Sequence, residues 1–139
     1  MSPAEKKSKT TISVPSESSY IRVISDKILD SLKGCNVDEG ELFNIKLCAE
    51  EALRNAMEHG NKFRKELPVK VSYGIVGDRL EIEIEDSGKG FKQEDVVDPT
   101  TDENILKERG RGVYLIHRLM DEVKYNEKGN KIMMAKKLK

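Results

Sequence analysis

The chain has 139 residues, enough for one domain with a real core and too few for two. Apolar residues make up 37% and charged residues 36%, and 25 basic side chains balance 25 acidic ones, so the formal net charge is zero. That balance argues against a nucleic-acid partner, which shows as basic excess. No apolar run approaches the roughly 20 residues of a membrane span, and "MSPAEKKSKTT" holds no signal-peptide core, so a soluble cytoplasmic protein without membrane contact is expected.

Residues 1–9 read as a disordered lead-in, and 10–139 as a single domain. "TTISVPS" alternates and ends in proline, which predicts a short first strand. Ser16 or Ser18 then caps a helix through about Leu32, with Tyr20, Val23, Ile24, Ile28 and Leu32 on its buried side and Gly34 stopping it. A second helix opens at Asp38, where "DEGE" has the D-x-x-E form of a capping box. Leu42, Ile45, Ala49, Ala52, Leu53 and Ala56 form its apolar stripe, and Gly60 suits a left-handed cap at its end. Cys35 and Cys48 lack zinc-ligand spacing and read as reduced thiols.

"VKVSYGIVGDRLEIEIEDSGKG" is a hairpin: Val69, Val71, Tyr73 and Ile75 alternate, Gly77-Asp78 turns, and Leu80, Ile82 and Ile84 alternate with glutamates. Residues 91–109 are turn-rich and too long for a passive connection, which predicts a functional lid. "GVYLIHRLMDEV" follows as a short helix, and "VKYNEKGNKIMMAKK" as a closing hairpin. The order β-α-α-β-β-loop-α-β-β predicts an α+β, two-layer sandwich, with a mixed, mostly antiparallel sheet and helices on one face.

Three polar patterns interrupt this scaffold. In "CAEEALRNAMEHG", Glu51, Asn55 and His59 follow at four-residue steps beside small apolar residues. A carboxylate with an amide one turn on could hold a divalent metal and activate a nucleophile, although alone the pair reads as a solvated flank. In "EDSGKGF", Asp86 sits at a strand mouth ahead of Gly88 and Gly90, where it could accept a hydrogen bond from a base amine such as adenine's; alone it is a plain turn. In "ERGRGVYLIHRL", Gly110 and Gly112 immediately precede a helix whose free N–H groups suit phosphate, with Arg109 and Arg111 adding charge. No G-K-[ST] follows, so this is not a Walker-A loop, and no strand leads in as in a dinucleotide fingerprint.

The order "E-A-L-R-N-A-x-x-H-G", "D-S-G-K-G-F", "G-R-G-V-Y-L-I" resembles the N box and two glycine boxes of the GHKL-type ATP-binding fold. With "LMDEV" after the last box and the compact size, it most resembles the small anti-sigma factor serine kinases of bacterial partner switching. The likeness spans about residues 10–136. It implies Glu51 as general base, Asn55 as magnesium ligand and Asp86 as adenine anchor backed by Gly88 and Gly90. Arg109, Gly110, Arg111 and Gly112 would meet the phosphates. Glu50 is a decoy by spacing, about a hundred degrees around the helix. His59 and His117 are treated as structural. The resemblance further implies ATP and Mg2+, a STAS-type anti-anti-sigma substrate, a sigma-factor partner and a homodimer. The lid "VVDPTTDENILKERGRG" departs from better-known kinases, so ATP binding is the firmer implication and phosphotransfer the weaker. The alternatives are a nucleotide-gated binding protein without kinase activity, or a detached histidine-kinase ATPase domain; no acceptor-histidine helix pair precedes the N box, which disfavours the latter.

Overall fold

The structure, a computed structural model, describes residues 9–88 and 108–138. Residues 91–107 of the expected lid and Gly90 lie outside them, as do residues 1–8; the lid's last two expected residues, Glu108 and Arg109, are helical instead. Five strands form one sheet: β1 (Thr10–Val14), β2 (Val69–Val76), β3 (Arg79–Glu85), β4 (Glu122–Tyr125) and β5 (Lys131–Lys137). Their spatial order is β1-β2-β3-β5-β4, and every pairing is antiparallel. The expected α+β sandwich is present, and among the described residues the pairing is antiparallel where a mixed sheet was allowed for. Among the described residues three α-helices complete it: α1 (Ser19–Asp30), α2 (Glu39–Asn55) and α3 (Glu108–Leu119).

Alternation explains the layering. Val71, Ile84 and Ile132 lie in register across three strands, as do Tyr73, Ile82 and Met134. Their period-2 neighbours Glu81 and Glu83 face the other way, where Lys9, Arg79 and Lys131 pair with them. Lys9, read as part of the lead-in, is thus held 3.1 Å from Glu81. The apolar face packs under the helices, with Ile24, Ile28, Ile45, Leu53 and Ile116 almost fully buried. α2 is central, touching α1, α3 and β3. Among the described residues, no helix is long and apolar enough to cross a membrane.

Several local expectations need correction. On α1, Ile21 is buried and Val23 is 45% exposed. The stripe runs through 21, 24 and 28, and Val23 is a hundred degrees off it. Neither serine caps α1 with its side chain: Ser18 occupies the cap position without a side-chain bond, and Ser16 donates to Leu67 O at 2.6 Å. Asp38 does cap α2, accepting from Glu41 N–H at 3.0 Å, but the Glu41 carboxylate pairs with Lys136 on β5. Beyond Asn55 the helix widens into a π-turn, Ala56–Gly60, closed by Asn61 N–H to Ala56 O at 2.9 Å. Gly60 is not left-handed; the positive angles fall on Lys62 and Phe63, at 55° and 54°. Gly77, at φ 65°, turns the β2–β3 hairpin as expected.

Candidate nucleotide site

Glu51 and Asn55 stand one turn apart on the last stretch of α2, and α3 crosses them. A Cβ built on Gly112 would lie 2.8 Å from Glu51 Oε1 and 3.3 Å from Asn55 Nδ2. Only a glycine lets α3 approach this closely. The glycines were expected ahead of the helix, because glycine is a poor helix former. Instead α3 begins at Glu108, so Arg109, Gly110 and Arg111 are helical in backbone and Gly112 is the fifth residue. Packing on α2 has overridden propensity. The unpaired N–H groups are those of the first four residues, Gly110 included, whereas Gly112 contributes space. Glu51 Oε2 accepts from Arg54 Nη1 at 3.1 Å. Glu50 points elsewhere: it accepts from buried Ser25 on α1 at 2.7 Å, with Lys46 3.7 Å away. The decoy and the candidate base therefore diverge as the helical angle requires. Cys48, one turn before Ala52, is fully buried, and burial pushes its thiol up to about 12.

Asp86 follows β3 and is fixed by backbone contacts. Its N–H donates to Asn130 O at 2.9 Å, and Asn130 Nδ2 donates back to Asp86 O at 2.9 Å. Asp86 Oδ1 accepts from Gly88 N–H at 2.8 Å, which bends the chain into a short Asx-type turn. Gly60 lies against the carboxylate and Gly88 against the Gly60 carbonyl, so a Cβ on either would clash. The next residue is held by fully buried Asn61, whose Oδ1 accepts from Ser87 N–H at 2.8 Å. Asn61 Nδ2 reaches Ser16 Oγ, Leu67 O and Pro68 O at 2.9–3.1 Å. Asn126 in turn orders the β4–β5 turn, its Oδ1 accepting from the N–H groups of Gly129, Asn130 and Lys131.

Between these two places runs an open cleft that both Asn55 and Asp86 line. Its walls are Ala52 and Ala56 from α2, Ile84 from β3, Val113 and Ile116 from α3, and Ile132 from β5. Mostly apolar walls with a few polar groups among them are the usual make-up of a small-molecule site. His59 lines a second groove, with Gly60 and Lys62 on the far side of Asp86, because the π-turn carries it off the straight ladder of Glu51 and Asn55. Among the described residues, no three His, Cys, Asp or Glu side chains cluster as a metal cage. Reading the sequence had missed Asn61, Asn126 and Asn130, and the true role of Gly60. Asn126 and Asn130 signalled only a turn, and no spacing marks Asn61.

The profile of the histidine kinase-like ATPase domain matches residues 14–136. The serine-protein kinase RsbW of Bacillus subtilis is 32% identical over 132 residues, which are 90% of this chain and 82% of that protein. RsbW of Staphylococcus epidermidis is 32% identical over 134 residues (91% and 84%), and RsbW of Listeria monocytogenes 30% over 137 (92% and 86%). A crystal structure of RsbU and RsbW domains from Mycobacterium tuberculosis superposes with a TM-score of 0.60 at 15% identity. It covers 93% of this chain, which spans 31% of that longer one, and supports the fold alone. With the cleft, the two ends of its polar lining and these matches together, the chain belongs to the histidine kinase-like ATPase domain family, on the branch of the RsbW serine-protein kinases.

Proposed function

We propose that the protein is an ATP- and Mg2+-dependent serine/threonine kinase that phosphorylates a STAS-type antagonist and otherwise holds a sigma factor inactive. The observation that carries this reading is that Asn55 lines one cleft with Asp86, while the close approach of Gly112 sets Glu51 beside the same asparagine. The relatives' serine-protein kinase names agree with it.

Each group has a part that its chemistry suits. The Asp86 carboxylate is an acceptor for the adenine amine, and the apolar walls take the ring faces. Asn55 Oδ1 would be the chain's ligand to magnesium. The lack of a carboxylate cage among the described residues suits an ion that keeps waters and takes its other ligands from substrate phosphates. When bound, that ion supplies positive charge against the phosphate oxygens. Glu51 takes the proton of the acceptor hydroxyl as that oxygen bonds to the γ-phosphorus. The bond from phosphorus to the β–γ bridging oxygen breaks, and ADP leaves with the electron pair. Gly110 N–H and the α3 dipole face the anion. Arg109 and Arg111 add cationic charge to the same reading, and Gly88 stands beside Asp86 at the adenine end. The protein would act in the cytoplasm, as a homodimer.

The test incubates the purified protein with γ-labelled ATP and its cognate STAS protein. Label on a STAS serine is expected, with affinity for ATP dependent on magnesium. Tight nucleotide binding without transfer to that partner would leave a nucleotide-gated binding protein instead.

A further inference from the structure

The two carboxylate oxygens of Glu51 have different neighbours. Oε1 is the oxygen nearest Gly112, across the gap between α2 and α3. Oε2 is taken by Arg54 Nη1 at 3.1 Å, one turn along the same helix. Arg54 immediately precedes Asn55, so the guanidinium, the carboxylate and the amide share one short stretch of α2. The side chains of Arg54 and Glu51 are 39% and 23% exposed, so the pair is partly open to solvent, next in sequence to Asn55 and Ala52 of the cleft lining.

We propose that Arg54 is a positioning residue for transfer: it ties down Oε2 so that Oε1 alone is presented to the acceptor hydroxyl. The inference rests on the reading of Glu51 as the base. A glutamate has three free torsions, and a base must lie within hydrogen-bond reach of the proton it takes. Bases in nucleophile–base pairs are commonly oriented by a third group, and Arg54 is the side chain in contact with Glu51 that can fill that place. A partly exposed i,i+3 pair adds little to stability, so folding does not account for the contact's use. In the step itself the proton moves from the serine hydroxyl to Oε1, the serine oxygen bonds to the γ-phosphorus, and ADP departs. Arg54 neither gains nor loses a proton.

The experiment is a double-mutant cycle on single-turnover phosphotransfer, with ATP affinity measured alongside. Arg54→Ala should slow transfer roughly 10- to 100-fold, the usual cost of misplacing a catalytic group. The ATP dissociation constant and the melting temperature should hardly move. Arg54→Lys should recover part of the rate, since one donor can still reach Oε2. In a Glu51→Ala background, Arg54→Ala should add no further loss, because the group it orients has gone. In the free protein, the Arg54 Nε–H should be ordered by NMR relaxation and become mobile in Glu51→Ala. If Glu51→Ala transfers normally, the base reading fails and this proposal with it. If Glu51→Ala is dead but Arg54→Ala transfers like wild type, only the positioning role fails. Weakened ATP or STAS binding in Arg54→Ala, or a further loss on top of Glu51→Ala, would mean that Arg54 touches a substrate itself and overturns the proposal.

Discussion

Gly60 packs directly on the carboxylate of Asp86, leaving no room for a side chain between them. The two residues come from the end of the π-turn and the residue after β3, so the contact joins the helical layer to the sheet beside the Asp86 side of the cleft. Gly60→Ala forces Asp86 or the turn aside. Overpacking of this kind costs about 1–3 kcal/mol, to be read from thermal or denaturant unfolding. Calorimetry should show ATP affinity at least roughly tenfold lower, since about 1.4 kcal/mol at the base anchor suffices for that. Normal affinity in a folded Gly60→Ala protein would separate Asp86 from the nucleotide.

Asp86→Asn tests the same residue without changing its shape. An asparagine Oδ1 can still accept from Gly88 N–H, so the turn should persist. Its Nδ2 then presents a donor to the adenine amine. The loss expected is about 1.5–3 kcal/mol, the range for a hydrogen bond to a charged group. Circular dichroism should be unchanged, and calorimetry should show weaker binding. A melting temperature that falls while affinity holds would make Asp86 structural.

These two substitutions also mark where the sequence stops being informative. The hairpin and the α2 stripe were legible because each rests on a period the chain repeats: two for Val71, Tyr73, Ile82 and Ile84, and three or four for Ile45, Ala49, Ala52 and Leu53. Glu51, Asn55 and Asp86 are candidates by resemblance and by spacing. What holds Asp86 was not legible, because its partners are remote in the chain. Asn130 is 44 residues away, and Asn61 is 26 from the Ser87 it binds. Such contacts carry no local pattern; a loop asparagine predicts a turn and says nothing of which turn it will clasp. Glycine misled in the same way at Gly60 and Gly112. A left-handed cap is the expectation at Gly60 and a free phosphate-facing N–H at Gly112, and space is what both supply.

Gly112→Ala should separate stability from activity. Within a helix, alanine in place of glycine stabilises by roughly 0.5–1 kcal/mol when nothing opposes it. Here the new methyl meets the end of the Glu51 side chain, which can swing away at little cost to the fold. Unfolding should therefore show a protein about as stable as wild type. Phosphotransfer should drop at least tenfold, because a displaced Oε1 no longer meets the acceptor. Full activity in this variant would show that the close approach of α3 has no bearing on the chemistry.

Cys48 gives a pH prediction. Burial pushes its thiol up from 9.0 to about 12, with Lys136 opposing and nearby Glu51 assisting. Between those values the folded state keeps the proton and the unfolded chain gives it up. The unfolded state then binds fewer protons, so stability falls as pH rises through this window, by up to about 1.4 kcal/mol per unit. Below pH 9 the term vanishes. Urea titrations from pH 8 to 10.5 should show a steeper decline for wild type than for Cys48→Ala. Equal slopes would mean that Cys48 ionises in the folded protein. Thiol reagents at pH 8 should accordingly spare Cys48 until the protein unfolds.

The neighbouring acids of α2 give the most direct test of the site. Glu50 and Glu51 are adjacent in sequence and chemically identical, but one receives Ser25 from α1 and the other faces Gly112 of α3. Glu50→Ala leaves the buried Ser25 hydroxyl without that acceptor, so it should cost about 1–2 kcal/mol of stability. Its transfer rate should remain near wild type once the protein is folded. Glu51→Gln inverts this pattern. Its fold and its ATP affinity should stay within a few fold, because the side chain addresses the acceptor and not the nucleotide. Its single-turnover rate should fall by roughly 10²–10⁴, the contribution of a positioned general base. Asn55→Ala should lose both, since magnesium-dependent ATP binding and transfer would share that one ligand. Three variants on six consecutive residues thus have three distinct signatures: stability for Glu50, rate for Glu51, and binding with rate for Asn55. A dead Glu50→Ala beside an active Glu51→Gln would reverse the assignment, and the helical spacing that separates the two acids would then have been misread as function.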